Sequence, residues 1–293
     1  MMLNFFEELR YKLFESIPIT TGLGYMQLLN RIFRKSQLKN LSIHFLWLML
    51  RFLKLDPNSK KFFTTLLQNI EDNNFPKAHE LQDNFVLCFY NNLHLERRLK
   101  EEEKVIIDIG AAHPEKFSNS NSLLKLGFKG FLVEPNPEFV ILLNKYWQNS
   151  KEIVVIPSAI AANSKSKKLI SASFLSSLSN IEISDQYDNL RRKISKGKFY
   201  DVAILNPNEF LTSYSIPRVI LYLSIDAEGS DSDILFSWPF EICCPVFITI
   251  EHNFNPRVRR NFDDFLENHG YRHVLKNISS IDSFYILSEF YDS

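Results

Sequence analysis

The chain has 293 residues with 34 Lys+Arg against 34 Asp+Glu, and 45% of it is hydrophobic, so it can bury a full core in one enlarged domain or in a catalytic domain with an appendage. The balanced charge excludes the broad basic surface that nucleic-acid binding favours. Three cysteines, Cys88 and the adjacent Cys243 and Cys244, offer neither a disulfide framework nor metal-ligand spacing.

The opening residues carry Glu7 and Glu8 where a signal peptide needs a basic start and an unbroken apolar run, so the expected location is cytoplasmic. Residues 3 to about 100 read as helices, with apolar positions at mixed three and four spacing and breaks near Pro18, at Asp56-Pro57-Asn58 and at Pro76. Their longest apolar run, Ile43 to Leu50, is interrupted by His44 and falls well short of the roughly 20 residues that cross a bilayer. Core packing is the preferred role of that run. Arg31, Arg34, Lys35, Lys39 and Lys54 around it leave peripheral contact with an anionic membrane as the alternative.

From Lys104 onward, strand-like and helix-like segments alternate, which calls for an α/β sheet. The expected strands are Val105 to Asp108, Gly130 to Glu134, Ile153 to Pro157, Val219 to Asp226, Val246 to Glu251, Arg272 to Lys276 and Phe284 to Leu287. Continuous apolar runs such as Val105-Ile106-Ile107 and Phe131-Leu132-Val133 are the habit of parallel strands covered on both faces. The short connection Asn277 to Ser283 can only join antiparallel neighbours. The expected fold is therefore α/β, a Rossmann-like sheet of the class I methyltransferase plan, with five parallel strands and an antiparallel C-terminal hairpin. A helical N-terminal extension (1–100) is expected to pack on the catalytic domain (101–293), which carries an insertion at 163–215 rich in Ser, Asn and Lys.

Candidate chemistry gathers where strands end, the edge at which open parallel sheets bind ligands. The first strand runs into Asp108-Ile109-Gly110 and the second stops at Glu134, an acid placed to accept hydrogen bonds from a ribose. A dinucleotide site needs G-x-G-x-x-G to approach a pyrophosphate. Here Gly110 is followed by Ala111-Ala112-His113-Pro114. One glycine and an acid suit S-adenosylmethionine, which has no phosphate. The fourth strand ends in Asp226-Ala227-Glu228-Gly229, which sets two carboxylates on one side of an extended chain. They can orient an amino group, hold a divalent metal or serve as a general base. The competing reading is a helix cap by Ser230 and Asp231. Glu251, His252 and Asn253 open onto the same rim, with His252 expected to face the two carboxylates. The tetrad Leu205-Asn206-Pro207-Asn208 precedes the fourth strand and lacks the aromatic that stacks on a flipped base, so it reads as a turn.

IIDIGAAHPEKFSNSNSL, LGFKGFLVEPNP, SIDAEGSDSDIL, ITIEHN and GYRHVLKNISSIDSFYI, in that order, resemble the FkbM family of S-adenosylmethionine-dependent methyltransferases from about Leu81 to Leu287. The resemblance departs at His113-Pro114 and at Asp282-Ser283-Phe284. It implies that Asp108, Gly110 and Ala111 line the methionine side of the cofactor and that Ser118 and Asn119 face it from the following helix. It also implies that Glu134, followed by Pro135 and Asn136, binds the ribose, and that Ser158 and Ala159 flank the adenine. Asp226 and Glu228 then lie nearest the transferred methyl with His252 opposite, and Asp226 or His252 is the candidate base. The implied activity is O-methylation of a sugar hydroxyl in a glycan, polysaccharide or glycosylated metabolite. A non-catalytic partner of a glycan-synthesis enzyme is the alternative. Tyr187, Tyr200 and Tyr214 are expected either to stack on a sugar ring or to anchor the insertion.

Overall fold

In the computed structural model, which describes residues 60–65, 82–162, 167–172, 175–178, 198–276, 279 and 281–291, the chain divides into two units. The first comprises Met1–Phe75 with Leu275–Ser280. Within it residues 60–65 are helical, and the Phe62 and Phe63 rings meet edge to face at 5.4 Å. The run Ile43 to Leu50 and Tyr187 lie outside the described residues. Among the described residues no helix is long and apolar enough to cross a membrane.

The second unit comprises Pro76–Val274 and Ile281–Ser293. It opens with α1 (Gln82–Asn92) and α2 (Leu95–Arg98), then alternates β1 (Val105–Ile109), α3 (Asn121–Lys125), β2 (Lys129–Val133), α4 (Pro137–Trp147) and β3 (Ile153–Ile156). Four further strands follow: β4 (Ser158–Ile160), β5 (Lys167–Ala172), β6 (Leu175–Leu178) and β7 (Lys198–Leu205). The remainder is α5 (Pro207–Ser213), β8 (Val219–Ile225), α6 (Asp231–Ser237), β9 (Cys244–Glu251), α7 (Pro256–Asn268), β10 (Tyr271–Val274), β11 (Asp282–Leu287) and α8 (Ser288–Tyr291).

Seven strands form the main sheet in the order β3-β2-β1-β8-β9-β11-β10. The first five pair in parallel, and β11 runs antiparallel to both β9 and β10. The apolar runs explain this arrangement. All of β1 is buried, and β8 is buried from Ile220 to Ile225, which requires helices on both faces and hence crossover connections. The strand order reverses between β1 and β8, so a crevice opens beyond their carboxyl ends. Three helices of this unit start on an asparagine cap. Asn136 caps α4 by accepting from Glu138 N, Asn206 caps α5 reciprocally with Glu209, and Asn255 caps α7, each with proline next in line. The tetrad Leu205-Asn206-Pro207-Asn208, expected as a turn, is instead the end of β7, a helix cap and the start of α5.

The 163–215 segment contributes strands of its own. With β4 they make a second sheet in the order β4-β7-β5-β6. Along β7 the alternation is visible: Val202 and Ile204 are buried with Ala159 and Ala161, while Asp201 and Ala203 face outward.

Helix α1 docks through Phe85, which is fully buried. Its ring packs edge to face on Phe247 of β9 at 5.4 Å, on Phe284 of β11 at 5.1 Å and on Phe89 at 5.3 Å. The preceding turn of the helix is held by polar contacts, with Gln82 Nε2 donating to Asp282 Oδ2 at 2.9 Å and Ser122 Oγ to Asp83 Oδ2 at 2.5 Å. Removing the Phe85 ring leaves a cavity at a junction of three elements, and Phe85→Ala is expected to lower stability by about 3–5 kcal/mol in chemical denaturation. A change near zero would mean that α1 is not part of the cooperative core.

Candidate active site

The backbone after β1 crosses close to the backbone after β8. Gly110 has φ +88°, and a Cβ placed on it would lie 1.8 Å from the carbonyl oxygen of Asp226. A side chain there would separate the two loops, so this glycine is required by the neighbouring strand itself. Hydrogen bonds continue past the strand ends: Asp226 N donates to Ile109 O, Gly110 N to Val133 O, and Glu134 N to Ile156 O. The ends of β1, β2, β3 and β8 are therefore rigid where their acids emerge.

Strain concentrates at the same edge. Of the eight non-glycine residues with positive φ among the described residues, five follow β1, β8 or β9: Ala112, Phe117, Glu228, Asn253 and Phe254. Such conformations cost on the order of 1–3 kcal/mol each and persist where the surroundings over-determine them.

Each acid has a distinct setting. Asp108 is fully buried within β1 and accepts from Ser120 Oγ at 2.6 Å, and desolvation raises its pKa to about 6 against the hydrogen bonds of Ser120 and Ser224. Glu134 accepts from Ala112 N at 2.8 Å and Asn136 N at 2.7 Å, one bond to each oxygen. Burial still holds it at about 7. Asp226 accepts from Asn119 Nδ2 at 3.3 Å, while that same amide donates to Ser224 Oγ at 3.1 Å. Burial raises its pKa, and Asp231, Asp108 and Glu134 push it further. Burial and then Asp226 raise Glu228 to about 8. Asp231 accepts from Ala227 N at 2.7 Å and Gly229 N at 2.9 Å, and so organises the turn into α6; Ser230 makes no side-chain cap.

Glu251, rather than His252, stands with these carboxylates. It is opposite Asp282 across the β9–β11 register and one step beyond Ile250, which pairs with Ile225 of β8. Burial raises its pKa strongly, followed by Asp226, Asp231, Glu228 and Asp282, and its Oε2 is buried without a partner. Adjacent residues at a strand end point to opposite faces. His252 accordingly feels Arg259, His273 and Asp263, and burial is the main reason that its pKa falls to about 4. The expectation that His252 faces Asp226 and Glu228 is corrected on this ground.

Other expected residues are placed as follows. Ser118 and Asn119 precede α3 instead of lying on it, and Ser118 Oγ accepts from Asn121 N at 3.1 Å. Ala111 is buried beside Gly110, and its N–H donates to Val133 O at 3.2 Å. Pro135 and Asn136 form the turn into α4. Ser158 and Ala159 belong to β4 in the second sheet, where Ser158 Oγ donates to Ala203 O at 3.0 Å. Tyr200 donates its hydroxyl to Glu138 Oε1 at 2.9 Å, and Tyr214 packs on Phe131 and Phe210, so both anchor the chain. Sequence reasoning missed Ser120 and Ser224, while Gln82 with Asp83 belongs to the segment ELQDNFVL, which is similar to the family's lead-in. Ser224 alternates with Asp226 along β8, a signal available in the pattern; the contact of Gln82 with Asp282 spans 200 residues and leaves no local trace. No group of three or more His, Cys, Asp or Glu with metal-holding geometry occurs among the described residues.

A main sheet of this order, with acids at the reversal point and one antiparallel strand near the C-terminal edge, is the class I methyltransferase fold. The methyltransferase FkbM domain matches residues 108–273, more than half of the chain, and the protein belongs to that family. It is similar to the solved structure of a putative RNA methyltransferase from Pyrococcus horikoshii, at 16% identity and TM-score 0.34 over 68% of this chain and 82% of that one. It is also similar to methyltransferase FkbM from Methylobacillus flagellatus KT, at 12% identity and TM-score 0.41 over 79% of this chain and 62% of that one. No curated protein matches.

The raised carboxylates make stability depend on pH with a definite sign. Each holds its proton in the folded chain at a pH where the unfolded chain has lost it, so the native state binds more protons between about pH 4 and about pH 8, and stability falls as pH rises through that window. His252 acts oppositely below its ordinary value, since it stays neutral in the fold where the unfolded chain would be protonated. The carboxylates act alone above about pH 6.5. Lowering the pH from about 8 to about 6.5 is therefore expected to raise the Tm of the ligand-free protein in differential scanning fluorimetry. A Tm that falls over this interval would contradict the desolvated rim.

Proposed function

We propose that the protein is an S-adenosylmethionine-dependent O-methyltransferase whose acceptor is a sugar hydroxyl of a glycan, polysaccharide or glycosylated metabolite. One observation carries the reading. The carboxylates at the ends of β1, β8 and β9 stand in a desolvated edge, where burial is the largest cause of the raised pKa of Asp108, Asp226, Glu228 and Glu251, and neighbouring acids raise the last three further. A site built this way suits a cationic ligand, and the unpartnered Glu251 Oε2 adds an orphaned acceptor. S-adenosylmethionine carries a sulfonium and an ammonium, so the donor set fits it. Asp108, Asp226 and the Gly110-Ala111 turn would hold its methionine part and Glu134 its ribose; when bound, the cofactor supplies an electrophilic methyl.

The chain's own part is to orient the acceptor and take its proton. A sugar hydroxyl ionises far above neutrality, so a base positioned near neutrality helps most. Asp226 has that character: its pKa is raised towards neutrality by burial and neighbouring acids, while Asn119 fixes one of its oxygens. The same acids disfavour an anionic acceptor such as a nucleic-acid backbone, and an uncharged, hydroxyl-rich acceptor is supported.

Two outcomes test the reading. In calorimetry S-adenosylmethionine or its demethylated product binds and NAD does not, and affinity falls as pH is lowered from about 8 to about 6, because the acids must give up protons to receive a cation. Affinity that is flat over this range, or tight NAD binding, would sink the cofactor assignment. In a labelled-methyl assay Asp226→Asn loses roughly a hundredfold in turnover, the scale of general-base catalysis, while His252→Gln retains it. The reverse pattern would move the base to His252.

A further inference from the structure

Phe254 sits three residues past Glu251, in the loop that leaves the carboxyl end of β9. It is 61% exposed, has φ +59°, and makes no ring contact among the described residues. A bulky aromatic residue has two reasons not to be in this state: its ring faces water, and its backbone occupies a region that suits glycine or asparagine. The loop has no freedom to relieve the strain. His252 N donates to Ile281 O at 2.7 Å, Asn255 N donates to His252 O at 2.9 Å, and the Asn255 side chain accepts from Arg257 N and Val258 N at the start of α7. Both ends of the two-residue turn Asn253-Phe254 are thus tied, and the exposed ring belongs to the loop that follows Glu251. In the loop after β1, Phe117 is likewise exposed, at 57%, with a positive φ of +61°. Because β8 lies between β1 and β9 in the sheet, these two aromatic residues bracket, in strand order, the end that carries Asp226 and Glu228.

We propose that Phe254 is the acceptor platform: the apolar face of an uncharged pyranose ring lies on the Phe254 ring, and its hydroxyls donate to the carboxylates of the rim. This rests on the reading of the acceptor as a sugar. The chemistry of the two surfaces selects this occupant. One face of a pyranose presents C–H groups, which pair with the negative face of an aromatic ring. Its periphery presents hydroxyl donors, which suit the half-buried carboxylates of Asp226 and Glu228. A uronate or a phosphorylated sugar would bring negative charge to acids that already repel one another.

The strain gives a test that separates a binding role from a structural one. Phe254→Asn removes the ring and places at φ +59° a residue that tolerates it, so Tm is expected to hold or rise, cofactor affinity to stay unchanged, and KM for acceptor to increase roughly three- to tenfold, the range of one lost aromatic contact. Phe254→Tyr should restore KM. The probe is a panel of neutral methyl hexopyranosides, with a methyl glucuronoside as the anionic control, followed by saturation-transfer NMR and by labelled-methyl transfer. Saturation reaching the C–H protons of one sugar face in the wild type and lost in Phe254→Asn is the expected result. A fall in Tm with KM unchanged would overturn the platform and leave Phe254 as a loop residue, with the methyl-transfer reading intact. If the wild type neither binds nor methylates any neutral sugar of the panel, the sugar-acceptor reading falls and the platform with it. Preference for the glucuronoside would likewise overturn the choice of an uncharged ring.

Discussion

Carboxylates desolvated at one edge of a parallel sheet, where neighbouring acids raise one another's pKa, are the constraint on which the rest of this molecule depends. A parallel sheet needs both faces covered, so its strand ends are the places where polar side chains can emerge, and the reversal of strand order between β1 and β8 separates the flanking helices there. Asp108, Asp226 and Glu251 are delivered to this edge by three adjacent strands whose register is fixed by buried apolar residues. Their mutual repulsion is a cost of folding that a cationic ligand would relieve. The backbone around them is correspondingly held, from the Gly110–Asp226 crossing to the paired amides that grip Glu134.

Methyltransferase chemistry follows from the family to which the chain belongs, and the local structure says how this member would carry it out. Polar side chains from elements outside the strands are recruited to steady the acids: Ser120 on Asp108, Asn119 on Asp226, Gln82 of α1 on Asp282. Helix α1 thus has two faces of use, an aromatic one locked onto β9 and β11 and a polar first turn reaching the rim. Exposed Phe117 and Phe254 lie in the loops after β1 and β9, on either side of β8 in strand order.

Much of the fold was legible in the sequence because it is written in local patterns. Strand-like segments marked all seven strands of the main sheet to within a few residues, continuous apolar runs among them at β1 and β2, and the short connection before β11 forced its antiparallel course. Asp108, Glu134 and Asp226 could be picked out because an acid that follows a buried strand in such a sheet has one place to go. Asparagine followed by proline begins α4, α5 and α7, a signal present in the sequence that the expected turn at Asn206-Pro207 overlooked.

Where side chains turn after a strand ends was decided by tertiary structure alone. Sequence puts Glu251 and His252 on one rim; packing of α7 and β10 draws His252 towards Arg259 and Asp263 and leaves Glu251 with the acids, since a single step along an extended chain reverses the face. The same limit explains Gly110, whose need for φ +88° comes from the backbone of Asp226, more than a hundred residues away. Tyr200 and Tyr214 read equally well as sugar platforms or anchors until Glu138 and Phe131 arrived beside them. Residue type and period determined the elements and the acids they carry. Which groups meet was set by contacts between segments distant in the chain, and no local pattern encodes those.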